Sequence, residues 1–132
     1  MTVTQLIYYS QPFGFDNAML DGILLQARRN NPKNDLTGAL IVRRDLYLQL
    51  LEGPESAVMA TFAKIARDDR HLSVKLLTRE TVPARLFPTW TMRDDPAQSW
   101  LWSESDVWDG ALDRASKADL RGVFERVAAD LP

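Results

Sequence analysis

The sequence contains no cysteine and one histidine, His71. Without thiols there is neither a disulfide framework nor a thiolate metal site, and a lone imidazole excludes a multi-histidine metal centre. No apolar run approaches the ~18 residues needed to cross a bilayer. The opening Met1-Thr-Val-Thr lacks the basic stretch and apolar block of an export signal. These absences make a cytoplasmic protein with no membrane partner the expectation. Cations are missing from one whole stretch, since between Asp94 and Asp113 there are six acids and no Lys or Arg. A nucleic-acid footprint needs clustered bases that displace counterions, so nucleic acid is not an expected partner.

The 132 residues suffice for one domain with a true core but not for two well-built ones. Hydrophobic residues make up 45% and charged residues 26%, the balance of an ordinary globular protein. The net charge of −2 hides an asymmetry: residues 1–93 carry 12 Lys/Arg against 9 Asp/Glu, and residues 94–132 carry 4 against 9. The first part suits a small molecule bearing phosphate; the second differs in character.

Residues 3–9 are rich in β-branched and aromatic types and predict a strand that stops at the turn-prone Ser10-Gln-Pro-Phe-Gly. Leu20, Ile23, Leu24 and Ala27 recur at helical spacing from about Asp16, a plausible cap, to Asn30, and Pro32 closes that helix. Residues 37–43 and 46–52 predict an antiparallel hairpin, although Arg44-Asp45 is a poor pair for a primed turn. Gly53-Pro54 opens a second helix with Val58, Phe62, Ile65 and Ala66 on its apolar side, ending near Asp68. Two further strands are expected at 72–80 and 87–93, and Ser116-Lys-Ala-Asp119 has the spacing of a capping box for a terminal helix to about Ala129.

The order β-α-β-β-α-β-β predicts an α/β fold of the α+β, ferredoxin-like kind. It is a mixed five-stranded sheet with two helices on one face, followed by a C-terminal helical tail. Residues 1–95 form the expected core and 96–132 the tail of the same domain.

Gln49 is the most informative residue, because Leu46-Tyr-Leu-Gln-Leu-Leu otherwise reads as a strand buried on both faces. An unmatched amide there costs ~1–3 kcal/mol, so Gln49 lies near an edge or has partners at both ends of its side chain. A glutamine bonded only to backbone or water is the plain alternative. Tyr8 poses the same question, since Leu6, Tyr8 and Ser10 alternate onto one side of the first strand. Arg28-Arg29-Asn30-Asn31 end one helix, and Lys64 with Arg70-His71 flank the end of the other. They either straddle a ligand with a heterocyclic edge and phosphates or form solvated caps. Asp68-Asp69 read as solvated neighbours pointing apart, not as a paired acid/base site. Nothing matches a catalytic triad or a glycine-rich phosphate loop.

Over roughly residues 4–93 the chain resembles the BLUF family of blue-light sensors that use FAD. The resemblance is carried by Leu6-Ile-Tyr8-Tyr-Ser10-Gln, Ala27-Arg-Arg-Asn30-Asn31, Leu36-Thr37-Gly38-Ala39-Leu40, Gln49-Leu-Leu-Glu52-Gly53-Pro, Phe62, Ile65, Asp68-Asp-Arg70-His71, Arg85-Leu-Phe87 and Trp90-Thr-Met92. It implies FAD held non-covalently between the two helices, with Tyr8 as light-driven electron and proton donor. Gln49 would bridge the phenol to flavin N5 and O4 and change orientation or tautomer after excitation. By the same resemblance Asn31 holds the ring's polar edge, while Ser10, Asn30, Arg70 and His71 are further flavin-contacting positions. Lys64 serves ring or phosphate, and Ile23 and Ile65 pack on the ring faces. Trp90 and Met92 share one face of a strand, compete for the place beside the glutamine, and relay its change outward; plain core packing is their other reading.

Tyr9 is an additional aromatic beside Tyr8, and Trp100, Trp102 and Trp108 are expected to bury against the open face of the sheet or to form a subunit contact. The short tail leaves no room for an enzyme. Signalling is therefore expected to reach an effector protein in trans, with homo-oligomerisation, and the protein is not expected to be an enzyme. Two other readings use the same residues: a small flavin-dependent redox enzyme, and a flavin-free protein-interaction module in which Tyr8 and Gln49 only bond to each other.

Overall fold

The computed structural model describes residues 2–12, 17–67, 71–88, 92–96 and 101–129, with backbone alone at 12, 17, 19, 71, 72 and 93–96. The elements run β1 (Val3–Pro12), α1 (Asn17–Asn30), a 3-10 turn (Pro32–Asn34), β2 (Thr37–Arg43), β3 (Leu46–Gly53), α2 (Glu55–Ala66), β4 (His71–Val82), β5 (Arg93–Pro96), α3 (Glu104–Trp108), α4 (Ala111–Arg114) and α5 (Lys117–Ala129). The five strands lie in the order β4-β1-β3-β2-β5. Every neighbouring pair is antiparallel except β2 and β5. This is the expected mixed α+β sheet.

Strand alternation assigns the two faces. Leu6 and Tyr8 of β1, Leu40 and Val42 of β2, and Tyr47 and Leu51 of β3 form one core with Leu24 of α1 and Val58 of α2. Ile7, Tyr9, Ala39, Ile41, Leu46, Leu48 and Leu50 form the other with Phe87, Leu101, Leu112, Leu120, Phe124 and Val127. Helices α1 and α2 thus share one face, and the tail, with α5, covers the opposite one. Period-two alternation on a sheet buried on both sides explains why β3 is buried along its whole length.

The fifth strand corrects the sequence reading. It is Arg93–Pro96, not 87–93, and it runs parallel to β2 from Ala39 to Val42. Pro88 lacks the N–H that a ladder requires, and the Leu86 and Phe87 amides donate instead to the Glu52 carboxylate at 2.9 and 2.7 Å. Strands β1 and β4 run longer than expected, to Pro12 and Val82, and α2 stops at Ala66. The cap expected at Asp16 lies outside the described residues.

The hairpin closes as expected, with Arg43 opposite Leu46. Neither Arg44 nor Asp45 takes a positive φ, so the turn is not of the primed kind, and Arg43 grips Asp45 through Nε at 2.5 Å instead. Between β2 and β3 the backbones meet at Gly38, where a Cβ would stand 2.0 Å from the Leu50 carbonyl oxygen. The capping box of α5 is present: Ser116 Oγ accepts from the Asp119 amide at 3.0 Å, and Asp119 Oδ2 accepts from the Ser116 amide at 3.4 Å.

Candidate functional site

Tyr8 and Gln49 are direct cross-strand partners in the β1–β3 ladder, so their side chains leave the sheet together on the helix-covered face. The Tyr8 hydroxyl donates to Gln49 Oε1. At the other end of the amide, Gln49 Nε2 donates to the Met92 sulfur at 3.3 Å. A thioether is a weak acceptor, which leaves this amide able to exchange its partner for a better one. Tyr8 is fully buried, Gln49 5% exposed and Met92 1%, so all three operate away from bulk water. The Tyr8 ring packs against Phe62 of α2 with centroids 5.5 Å apart.

The β1–β4 register shifts between Ile7 and Tyr8 and again between Tyr9 and Gln11. Bulges break ladder pairing and re-aim side chains, and these two bracket Tyr8 and Tyr9. Arg28 at the end of α1 donates through Nε to the Met92 carbonyl at 3.2 Å, which fixes the backbone that presents the thioether.

Beside the amide a cleft opens between α1 and α2, lined by Ile23, Gln26, Ala27, Asn30, Asn31, Asn34, Gln49, Leu51, Thr61, Lys64 and Ile65. Of the positions singled out from sequence, Ile23, Asn30, Asn31, Gln49, Lys64 and Ile65 come together here. Tyr8 and Met92 join through Gln49. Ser10 does not line the cleft; it is fully buried on β1 opposite Tyr47. His71 begins β4 opposite Pro12, with its side chain not described. Arg70, Trp90, Trp100, Asp68 and Asp69 lie outside the described residues.

Gln26, Ala27, Asn34, Leu51 and Thr61 are lining residues that the sequence reading does not include; strand alternation from Gln49 points to Leu51, and helical spacing points to three of the others. Positions 26 and 27 follow Ile23 by three and four, and Thr61 precedes Lys64 and Ile65 by the same steps. Asn34 belongs to the 3-10 turn, where periodicity carries no signal; its Nδ2 donates to the Asn30 carbonyl at 3.2 Å.

Glu52, fully buried, organises the far side of β3. Its carboxylate accepts from Gln5 Nε2 at 3.0 Å and Thr37 Oγ1 at 3.2 Å, besides the two backbone amides already named. Arg85 donates to Thr37 Oγ1 at 2.9 Å and to the Asp35 carbonyl at 2.8 Å. Arg121 of α5 donates to Gln5 Oε1 at 2.5 Å, which ties the tail to the sheet.

Comparison with known proteins matches residues 3–93 to the family described as "BLUF: Sensors of blue-light using FAD". The chain belongs to the BLUF family. Its relatives include photoactivated adenylate cyclase subunit beta of Euglena gracilis, 33% identical over 93 residues, which cover 69% of this chain and 11% of that protein. The blue light- and temperature-regulated antirepressor BluF of Escherichia coli K12 is 39% identical over 61 residues, 46% of this chain and 15% of that one. This BLUF chain thus spans about a tenth of the cyclase subunit's length.

Among solved structures, the dark state of the BLUF protein BlrB superposes with a TM-score of 0.82 at 28% identity, over 98% of this chain and 97% of that one. The complex of Klebsiella pneumoniae BlrP1 with manganese and cyclic diGMP gives 0.68 at 27%, over 97% of this chain and 33% of that one. This BLUF chain is accordingly a blue-light sensor using FAD with the family's α+β fold.

Proposed function

We propose that the cleft between α1 and α2 receives the flavin ring and that Tyr8 and Gln49 convert absorbed light into a changed hydrogen-bond pattern. The observation that carries this reading is the buried chain from the Tyr8 hydroxyl through the Gln49 amide to the Met92 sulfur at the wall of the cleft.

The lining suits such a ligand: Ile23, Ile65 and Leu51 offer apolar faces, and Asn31, 3% exposed, brings an amide to the polar edge of a heterocycle. Lys64 supplies a cation for phosphate. The cleft holds about 110 Å³. Ligand pockets span ~300–1,000 Å³, so a flavin ring fills this cleft only as its walls part. Asn30, at the wall of the cleft, is a further proposed flavin contact; Ser10, Arg70 and His71 are proposed on family resemblance alone.

A flavin held there would supply an electron acceptor under blue light and an absorption that registers the hydrogen bonds made to its ring. Tyr8 would be the donor of that electron, and its hydroxyl proton would move along the existing bond to Gln49 Oε1; the return of electron and proton would restore the phenol once the amide has rearranged. Gln49 can exchange donor for acceptor at nearly constant shape, by rotation or by tautomerisation, so its partners change while its volume does not. The weak thioether bond then breaks at small cost, and Met92, held through its carbonyl by Arg28, carries the change toward β5 and the tail. Met92 is thus a proposed relay, together with Trp90 two positions before it.

The chain is proposed to act as a sensor with no turnover of its own, signalling in trans to an effector protein and forming homo-oligomers in the cytoplasm. Its likeness to the BLUF protein BlrB, with a TM-score of 0.82, supports the sensor reading. Among the described residues no helix is long and apolar enough to cross a membrane.

Absorption spectra before and after blue illumination test the proposal. The purified protein is expected to be yellow and to show a small reversible red shift. Protein that stays colourless after reconstitution with FAD, or a spectrum indifferent to light, overturns it.

A further inference from the structure

On the tail-covered side of β1 the residue next to Tyr8 opens onto a second concavity. Tyr9 and Lys75 line it from β1 and β4, with Asp45 of the hairpin turn, Glu104 and Trp108 of α3, and Asp113 of α4, around about 500 Å³. Trp108 is 83% exposed, whereas Trp102 packs against the core beneath the tail. Among the described residues only Leu25, Leu76 and Trp108 are large apolar side chains left exposed. An indole offers more apolar area and a better cation-binding face than either leucine, and tryptophan is enriched at the centres of interfaces.

The surroundings favour one charge. Residues 101–113 contain Glu104, Asp106, Asp109 and Asp113 and no base. Arg44 answers Glu104 at 2.8 Å and Lys75 answers Asp113 at 3.2 Å. Among the described residues no cation is paired with the exposed carboxylates of Asp106 and Asp109, which flank Trp108 in sequence. Asp106 and Asp109, three residues apart, fall on one side of the short helix α3 and Trp108 on another, so a segment with more than one arginine matches the surface: one guanidinium can lie flat on the ring while a second meets the acids.

We propose that the Trp108 surface docks a basic, arginine-bearing segment of a partner protein. Its wall includes Tyr9, one peptide bond from Tyr8 and stacked under the Lys75 ammonium 5.8 Å from its ring centroid. That contact places the docking surface directly behind the photoactive strand. The docking itself stands independently of the flavin reading; its dependence on light rests on that reading.

The test uses the flavin-loaded full chain and two fluorescein-labelled heptapeptides, Gly-Arg-Gly-Arg-Gly-Arg-Gly and its lysine counterpart, followed by fluorescence anisotropy. The arginine peptide is expected to bind more tightly than the lysine one and to weaken as salt rises. Trp108→Ala is expected to weaken it about threefold to fivefold, the size of an exposed cation–π contact. The paired substitutions Asp106→Asn and Asp109→Asn are expected to weaken it by a similar factor. Trp108 is exposed, so its loss leaves the fold intact, as retained flavin colour and far-UV circular dichroism verify.

Equal binding of the two peptides together with an unchanged Kd in Trp108→Ala overturns the proposal. So does light scattering in which Trp108→Ala turns a dimer into a monomer, since the occupant is then a second copy. Repeating the titration under blue light separates the two readings. A red-shifting protein with the same Kd in dark and light overturns the link to Tyr8, whereas an absent red shift overturns the photochemical reading and leaves the dark-state docking result standing.

Discussion

Tyr8 donates its hydroxyl proton to Gln49 across the β1–β3 ladder, from directly opposed positions on adjacent antiparallel strands. The pair needs no loop to bring it together, and both backbones are fixed by strands on either side. Tyr8→Phe keeps the ring against Phe62 and removes only the donor. It is expected to retain flavin, to lose the light-induced red shift, and to cost roughly 0.5–1.5 kcal/mol in urea unfolding. Gln49→Leu should be equally blind. A full red shift in either variant, read by difference spectroscopy, contradicts their assigned roles.

Met92→Leu preserves volume but deprives Gln49 Nε2 of its sulfur acceptor. The dark orientation of the amide is held less firmly, so recovery after a flash should slow about two- to fivefold, the size of a weak hydrogen bond worth ~0.5–1 kcal/mol. Time-resolved absorbance at the red-shifted edge measures it. An unchanged rate shows that the contact does not steer the amide.

Flavin retention should depend on the cleft in two distinguishable ways. Asn31→Leu removes a buried amide and is expected to lower affinity about tenfold at any ionic strength. Lys64→Ala should weaken binding less, and the deficit should vanish as salt screens the exposed ammonium. Fluorescence titration of apoprotein with FAD at low and high salt checks both, and a salt-independent Lys64→Ala deficit excludes a phosphate role.

Glu52→Ala strands the Leu86 and Phe87 amides, the Gln5 amide and the Thr37 hydroxyl beneath the tail. Buried donors left unmatched cost ~1–3 kcal/mol each, with some recovered by rearrangement, so a loss of about 3 kcal/mol or more is expected in chemical denaturation. Glu52→Gln should also destabilise, because its amide would turn a donor toward a donor. A loss under ~1 kcal/mol in Glu52→Ala would mean that water replaces the carboxylate.

Acid should loosen α3 from the hairpin. The hydrogen bond from Arg44, and then its charge, hold the Glu104 carboxyl below its ordinary range. A depressed folded value means that the bridge contributes above the unfolded carboxylate value of about 4.3 and is lost as pH falls through the folded one. NMR titration of the Glu104 side chain is expected to show the depression and its disappearance in Arg44→Gln; an ordinary value in the parent protein refutes it.

Much of this was legible in residue order. Gln49 among leucines raised the question of a buried amide's partners, and alternation along residues 6–10 put Tyr8 on the side of Leu6 and Ser10, the side that the two helices α1 and α2 cover. The family resemblance supplied Ile23, Asn30, Asn31, Lys64 and Ile65, and helical spacing from Ile23 and Lys64 leads on to Gln26, Ala27 and Thr61. The final strand was misread because the Phe87–Arg93 run is rich in strand-forming types, whereas Pro88 and the grip of Glu52 hold residues 86 and 87 off the ladder. Glu52 itself could not be interpreted in advance, since its partners come from β1, β2 and the 85–87 segment, and only folding brings them within reach. Trp102 and Trp108 are close in sequence yet differ in exposure, because the short turn of α3 points them to opposite environments.

Neighbouring side chains of a strand share one rigid amide plane, and Tyr8 and Tyr9 are such neighbours, one turned toward the cleft and the other toward the tail. A backbone shift at the first reaches the second across one planar peptide, with no lever arm between them to amplify it. The memory of illumination then lasts only as long as one glutamine stays turned, so a single relaxation time should govern both the colour of the protein and the message it sends.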